Sequence, residues 1–150
     1  MTTVSRADID ERVAQRLAEH DIRYTVGRKL TARALVALAG PATAAQLHDE
    51  LGREVPLSSL YRTLSLFDEA GINERTHDAD GVARYELAEW LLGHHHHLVC
   101  NKCGEVEDVE LATEVEAQLA DIVRAIADGS EYHATGHRID VEGVCGSCRD

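Results

Sequence analysis

Apolar positions recur at helical spacing through most of the first ninety residues. Ile9, Val13 and Leu17, four apart, predict a helix over Asp8–His20. Thr31–Ala39 reads as a second helix, stopped by Gly40 just past its end. "TAAQLHDELG" opens on Thr43 and Gln46, the spacing of a capping box, and stops at Gly52. Pro56 introduces "LSSLYRTLSLFDEAG", a helix of about three turns closed by Gly71. Leu60, Thr63, Leu64 and Phe67 form its apolar stripe; Tyr61, Arg62, Ser65 and Glu69 fall on the other side. "INERTHDADGVARYEL" changes to a strand pattern, a hairpin turning at Asp80-Gly81.

Helix, helix, short turn, helix, two-stranded hairpin is the order of a winged helix-turn-helix. In that arrangement the helix bearing exposed Tyr61 and Arg62 enters the major groove. A small helical domain with a merely solvated polar face has the same pattern, and fold alone does not fix function.

"AEWLLG", residues 88–93, reads as a hinge, and the pattern beyond it differs. "HHLVC" and "GEVEDVEL" are short strands, and Ala112–Asp128 is an amphipathic helix with Val115, Leu119, Ile122, Val123 and Ile126 apolar. "HRIDVEGVC" is a strand, with His137, Ile139 and Val141 on one face and Arg138, Asp140 and Glu142 on the other. The expected organisation is a winged-helix domain over 1–87, a hinge over 88–93 and a second domain over 94–150. The last piece is too short for a robust core of its own and needs a metal staple, a partner subunit or both.

Composition sharpens this in three ways. Hydrophobic residues are 44% but aromatics only 4%, so the core is aliphatic. No apolar run is long enough to span a membrane, and the N-terminus lacks the apolar segment of a secretory signal. The expected location is therefore cytoplasmic, where cysteine pairs hold metal more often than disulfides. The net charge of −12 argues against nucleic acid if taken alone. Its distribution is uneven: Ile22–Arg62 carries Arg23, Arg28, Lys29, Arg33, Arg53 and Arg62 against Asp49, Glu50 and Glu54. A local basic zone of that kind is compatible with a DNA face.

Cys100-x-x-Cys103 and Cys145-x-x-Cys148 are the four cysteines of the chain. Two such knuckles are what a closed tetrahedral Zn²⁺ site requires. A redox disulfide pair and an iron–sulfur cluster are the rivals. Just upstream lies His94-His95-His96-His97. On a strand, successive side chains point to opposite faces, so the run makes two His-x-His pairs. Glu116 and His137 are available to one pair and Glu86 to the other. A solvated polar stretch with adventitious metal affinity is the alternative.

With these pieces in order, "LSSLYRTLSLFDEAG", "YEL", "HHHHLVCNKCG", "EVEAQ", "GHRIDVEGVC" and "CGSC", the chain resembles the ferric uptake regulator family of metal-dependent repressors. The resemblance implies an α+β fold: an N-terminal winged helix-turn-helix and a small C-terminal α/β dimerisation domain. It implies a homodimer on double-stranded operator DNA. It implies structural Zn²⁺ on Cys100, Cys103, Cys145 and Cys148, a regulatory site on Glu86, His95 and His97, and a third site on His94, His96, Glu116 and His137. It puts Ser59, Tyr61, Arg62 and Thr63 toward the major groove, Arg23 toward the minor groove and Arg28 on a phosphate. Two positions depart from the family's pattern. Pro41 stands where many members have a histidine ligand, and Glu74 and His77 on the hairpin are the candidate replacements. Ala88 stands where zinc-sensing members often have cysteine. An all-N/O regulatory site suits Fe²⁺ or Mn²⁺ as well as Zn²⁺. The expectation is therefore an iron-sensing repressor of metal-homeostasis genes. A zinc-uptake regulator, or a manganese-, nickel- or peroxide-sensing member, is the alternative within the family. Outside it stand a His-x-His zinc metalloenzyme and a metal-buffering protein.

Overall fold

The computed structural model of the chain describes residues 6–38, 40–78 and 80–149, which form two compact units dividing between Gly93 and His94.

In the first unit, α1 (Arg6–Glu19) buries Ile9, Val13 and Leu17, the three positions its spacing singles out. Helix α2 (Val26–Ala37) begins five residues before the expected Thr31, because Thr25 caps it, its side-chain oxygen accepting from the Arg28 N–H. Its expected end at Ala39 lies outside the described residues. Strand β1 (Ala42–Thr43) leads into α3 (Ala44–Leu51), where Thr43 and Gln46 form the full capping box. Helix α4 (Leu57–Glu69) buries Leu60, Thr63, Leu64 and Phe67 and leaves Tyr61 and Arg62 exposed. Strands β2 (Asn73–His77) and β3 (Ala83–Leu87) form the hairpin. With β1 they make a three-stranded antiparallel sheet, order β1-β3-β2. The Asp78 carboxylate shapes the turn by accepting from the N–H groups of Asp80 and Val82. This is the winged helix-turn-helix arrangement.

Residues Glu89–Leu92 form a short helix, α5, on the first unit. Leu91 is fully buried, and the Ala88 N–H donates to the Ile72 carbonyl at 2.8 Å. The Trp90 indole N–H donates to the Gly71 carbonyl at 2.7 Å, and the guanidinium groups of Arg12 and Arg16 lie 5.2 and 4.3 Å from its ring. The segment ends at Gly93, whose φ of 93° favours glycine.

In the second unit, β4 (His96–Cys100) is the central strand of a sheet ordered β5-β4-β6. Strand β5 (Val106–Val109) runs antiparallel to it, and β6 (Asp140–Gly143) runs parallel. Strand β6 is shorter than the expected "HRIDVEGVC", since β4 begins only at His96 and offers the residues around His137 no ladder partner. Helix α6 (Thr113–Asp128) follows β5. Val115, Ile122 and Ile126 on α6 are exposed, as is every residue of β6. Among the described residues, the buried apolar side chains of this unit are Cys100 and Ala127. That is too little to hold so small a domain unaided.

Candidate metal centres and nucleic-acid face

Three clusters of metal-ligand residues account for the histidine run and all four cysteines. The first is Cys100, Cys103, Cys145 and Cys148, whose Sγ atoms all lie within 4.8 Å of one another. Cys100 ends β4 and Cys103 lies in the turn after it; Cys145 caps the short 3₁₀ turn after β6 and Cys148 is its last residue. Zn–S bonds of about 2.3 Å in a tetrahedron set S···S edges of about 3.8 Å. The Cys103 and Cys145 sulfurs are 3.8 Å apart, so the residues fit zinc. The Cys145 backbone N–H donates to the Cys100 sulfur at 3.3 Å. That bond, and then the Cys103 N–H, hold the Cys100 thiol down to about 6. The crowded neighbours push Cys148 up to about 12, Cys145 foremost. Four thiols this close cannot all ionise without a cation among them, which is the charge a divalent metal supplies.

The second cluster is His94, His96, Glu116 and His137, all within the second unit. His94 and His96 turn to one face of the strand, their rings 4.7 Å apart. Glu116, in the first turn of α6, accepts from the Nε2 atoms of His94, His96 and His137 at 2.9, 3.0 and 2.8 Å. Their contacts, His96 first, outweigh burial and hold its carboxyl below the usual range. The Nε2 atoms of His94 and His137 are 3.3 Å apart. Metal–nitrogen bonds of about 2.0–2.1 Å in a tetrahedron give edges of about 3.3 Å. Four ligand atoms converging on one point fit a divalent ion.

The opposite face of the strand carries the third cluster, with the rings of His95 and His97 5.2 Å apart. Asp108 stands directly opposite His97 in the β4–β5 ladder. Its Oδ1 is 4.0 Å from the His95 Nε2 and 3.7 Å from the His97 Nε2. On the other side of His97, Asp140 of β6 accepts from its Nδ1 at 2.9 Å. Neither aspartate is marked by spacing in the sequence. A signal did exist: "HHLVC" and "GEVEDVEL" joined by a tight turn form a hairpin, and counting back from the turn pairs His97 with Asp108. Of the other expected ligands, Glu86 is a buried carboxylate on β3, with Glu74 as its direct partner on β2. His77, one of the candidate replacements, is exposed and pairs with Ala83; it lies three positions from Glu74 and so on the opposite face of the hairpin. Pro41 is buried, its carbonyl accepting from the Arg84 guanidinium at 3.4 Å.

On the first unit, Arg28, Ser59, Arg62 and Thr63 line one depression of about 250 Å³, together with Thr25 and Glu54. Tyr61 is half-exposed beside it. Arg23 is exposed, and its carbonyl accepts from the Arg28 guanidinium. Thr63 departs from the expectation. It is 6% exposed because it belongs to the apolar stripe of α4, so at most its edge reaches this depression.

Comparison with known proteins decides what this arrangement belongs to. Residues 19–141 match the model of the ferric uptake regulator family. The chain belongs to the ferric uptake regulator family. The ferric uptake regulation protein of Bacillus subtilis (strain 168) is 31% identical over 143 residues, covering 92% of this chain and 93% of that one. The peroxide-responsive repressor of Staphylococcus aureus (strain Mu50) is 26% identical over 146 residues, covering 95% and 93%. The crystal structure of the Vibrio cholerae ferric uptake regulator superposes with a TM-score of 0.70 at 30% identity, covering 89% of this chain and 99% of that one. As a ferric uptake regulator family member the chain is a metal-responsive transcriptional regulator of α+β fold. Among its described residues no helix is long and apolar enough to cross a membrane.

Proposed function

We propose that the chain is a homodimeric repressor that takes up a divalent metal, Fe²⁺ foremost, and then binds double-stranded operator DNA. The observation that carries this reading is the donor set around His95. Two imidazoles and the Asp108 carboxylate cluster on one face, and no thiolate belongs to that group. Such nitrogen and oxygen ligands suit Fe²⁺ and Mn²⁺ as well as Zn²⁺, whereas the Cys₄ cluster selects Zn²⁺. Glu86, the buried carboxylate on β3, completes the regulatory set in this reading, so that metal ties the DNA-binding unit to the second unit. The His94–His96–Glu116–His137 cluster is then a second, non-catalytic metal site that stabilises the second unit. The relation to the B. subtilis ferric uptake regulation protein favours iron; the S. aureus peroxide-responsive repressor supports a peroxide-sensing alternative. The exposed apolar side chains of α6 and the exposed edge strand β6 support a homodimer, since each needs covering. Arg28, Ser59, Tyr61 and Arg62 make the DNA face, Arg23 the minor-groove contact.

The test is operator affinity measured against each buffered metal in turn, for the wild type and for Arg62→Ala. The expected result is metal-dependent binding, strongest response to Fe²⁺ at physiological free concentrations, and a loss of about 1–3 kcal/mol for Arg62→Ala at fixed salt. Metal-independent affinity would overturn the reading.

A further inference from the structure

One rung of the second sheet holds a carboxylate, an imidazole and a carboxylate in line. Asp108 on β5, His97 on β4 and Asp140 on β6 are direct cross-strand partners. His97 is 3% exposed and presents one ring nitrogen to each neighbour. Its Nδ1 is 2.9 Å from the Asp140 Oδ1, a hydrogen-bond distance. Its Nε2 is 3.7 Å from the Asp108 Oδ1, a ligand-to-ligand distance rather than a hydrogen bond. We propose that Asp140 is the positioning residue of the regulatory site: it fixes the Nδ1–H tautomer of His97 and so keeps the Nε2 lone pair aimed at the metal beside Asp108. The proposal rests on His97 being a regulatory ligand.

The chemistry follows from how imidazole binds metal. A neutral ring carries one proton, and only the nitrogen without it can coordinate. Free imidazole side chains exchange between tautomers, so a ring without a partner spends part of its time with the wrong nitrogen protonated. A carboxylate accepting from one nitrogen settles the tautomer, fixes the ring plane and raises the basicity of the other nitrogen. Asp140 is itself half-exposed and bonds the nitrogen that faces away from Asp108, which marks it as a support for the ligand and not a ligand.

The pairing of β6 with β4 makes this contact robust. The His97 N–H donates to the Ile139 carbonyl at 3.1 Å, and the Asn101 N–H to the Gly143 carbonyl at 2.8 Å. The same offset of 43 residues that sets Asp140 against His97 also sets His137 against His94. At the far end the cysteine cluster joins the strands, through the Cys145 N–H on the Cys100 sulfur. A register slip of one residue would move Asp140 off His97 altogether.

The experiment uses the full-length, zinc-loaded protein and Mn²⁺ as the probe of the regulatory site. Four variants are compared with wild type: Asp140→Ala, Asp140→Asn, His97→Ala and the Asp140→Ala/His97→Ala pair. Mn²⁺ affinity is titrated, zinc content and melting are recorded, and the His97 tautomer is read from its ring-nitrogen chemical shifts before Mn²⁺ is added. Asp140→Ala is expected to weaken Mn²⁺ binding by about 10–100-fold and to move His97 away from the Nδ1–H form, with zinc content unchanged. Asp140→Asn, of the same shape, is expected to fall between, and it carries the test if the alanine variant melts. On the His97→Ala background, Asp140→Ala is expected to add nothing. Wild-type Mn²⁺ affinity in both Asp140 variants, with the tautomer unmoved, overturns the positioning role. If His97→Ala also binds Mn²⁺ like wild type, the regulatory assignment of His97 has failed instead.

Discussion

Replacing His94 and His96 by alanine and, separately, His95 and His97 divides the histidine run by the face on which each ring lies. The His94 cluster belongs entirely to the second unit, where Glu116 receives three rings at 2.8–3.0 Å. A metal held there binds the folded state and not the unfolded one. At a free concentration of about 100 times Kd it contributes about 2.7 kcal/mol. A small domain shifts by about 4–8 °C per kcal/mol, so metal is expected to raise the melting temperature of this unit by about 10–20 °C. Removing two of the four ligands should abolish most of that rise. The His95 face carries the coupling to DNA in the proposed reading, and a coupling of about 1–3 kcal/mol corresponds to about 5–150-fold in affinity. The assay is a paired one. Both double variants are titrated with operator DNA across buffered metal, and both are melted with and without metal. The 95/97 pair should lose the metal response of DNA binding; the 94/96 pair should keep it and lose thermal stabilisation. If the 94/96 pair abolishes the DNA response while the 95/97 pair retains it, the two faces have been assigned the wrong way round.

Three further outcomes are expected. Cys100→Ser should release zinc and unfold or monomerise the second unit, because structural zinc supplies binding energy on the order of 10 kcal/mol in small domains; a zinc-free variant that stays a folded dimer, by metal analysis and sedimentation, refutes the role. Asn73 is 3% exposed with neither side-chain amide atom hydrogen-bonded, opposite buried Leu87. Asn73→Leu should therefore stabilise the first unit by about 1–3 kcal/mol in a denaturant melt without changing DNA affinity, and a loss of stability would contradict the missing partners. Burial raises the Asp10 carboxyl, but hydrogen bonds from Arg33 and Tyr24 outweigh it and leave it below the usual range. A lowered folded value means a contribution present above the ordinary carboxylate range and lost as pH falls through the lowered value. Asp10→Asn should thus be less stable than wild type near pH 7, and the two should converge in melts run at progressively lower pH below about 4.

The parts legible in the sequence are those fixed by local physics. The stripe on α4 and the Thr43–Gln46 cap follow from helical periodicity and from one reciprocal hydrogen-bond pair. The parity of the four histidines follows from the two-residue repeat of extended chain. What escaped depended on longer-range pairing. The start of α2 is a local exception: Thr25 caps it, while its buried positions begin only at Thr31. Helix α5 forms within the expected hinge segment, where Leu91 is buried and Trp90 finds partners in α1 and at Gly71. Asp108 and Asp140 flank His97 only once the turn length and the strand offset are known, and neither is written in the spacing of ligand residues. Thr63 was counted on both sides of α4; burial puts it with the stripe.

Trp90 is the one tryptophan in the chain, and its ring lies against Arg12 and Arg16 on the first unit. The molecule therefore carries a built-in optical reporter whose only lamp is outside the unit that houses the cysteines and the histidine run. Its emission reports on the packing of the first unit around that ring, where the indole N–H also donates to the Gly71 carbonyl. In the proposed reading, where Glu86 of the same unit completes the regulatory set, a spectral shift on adding diamagnetic metal to the zinc-loaded protein would time-stamp the response of the first unit, in a stopped-flow trace and without any label.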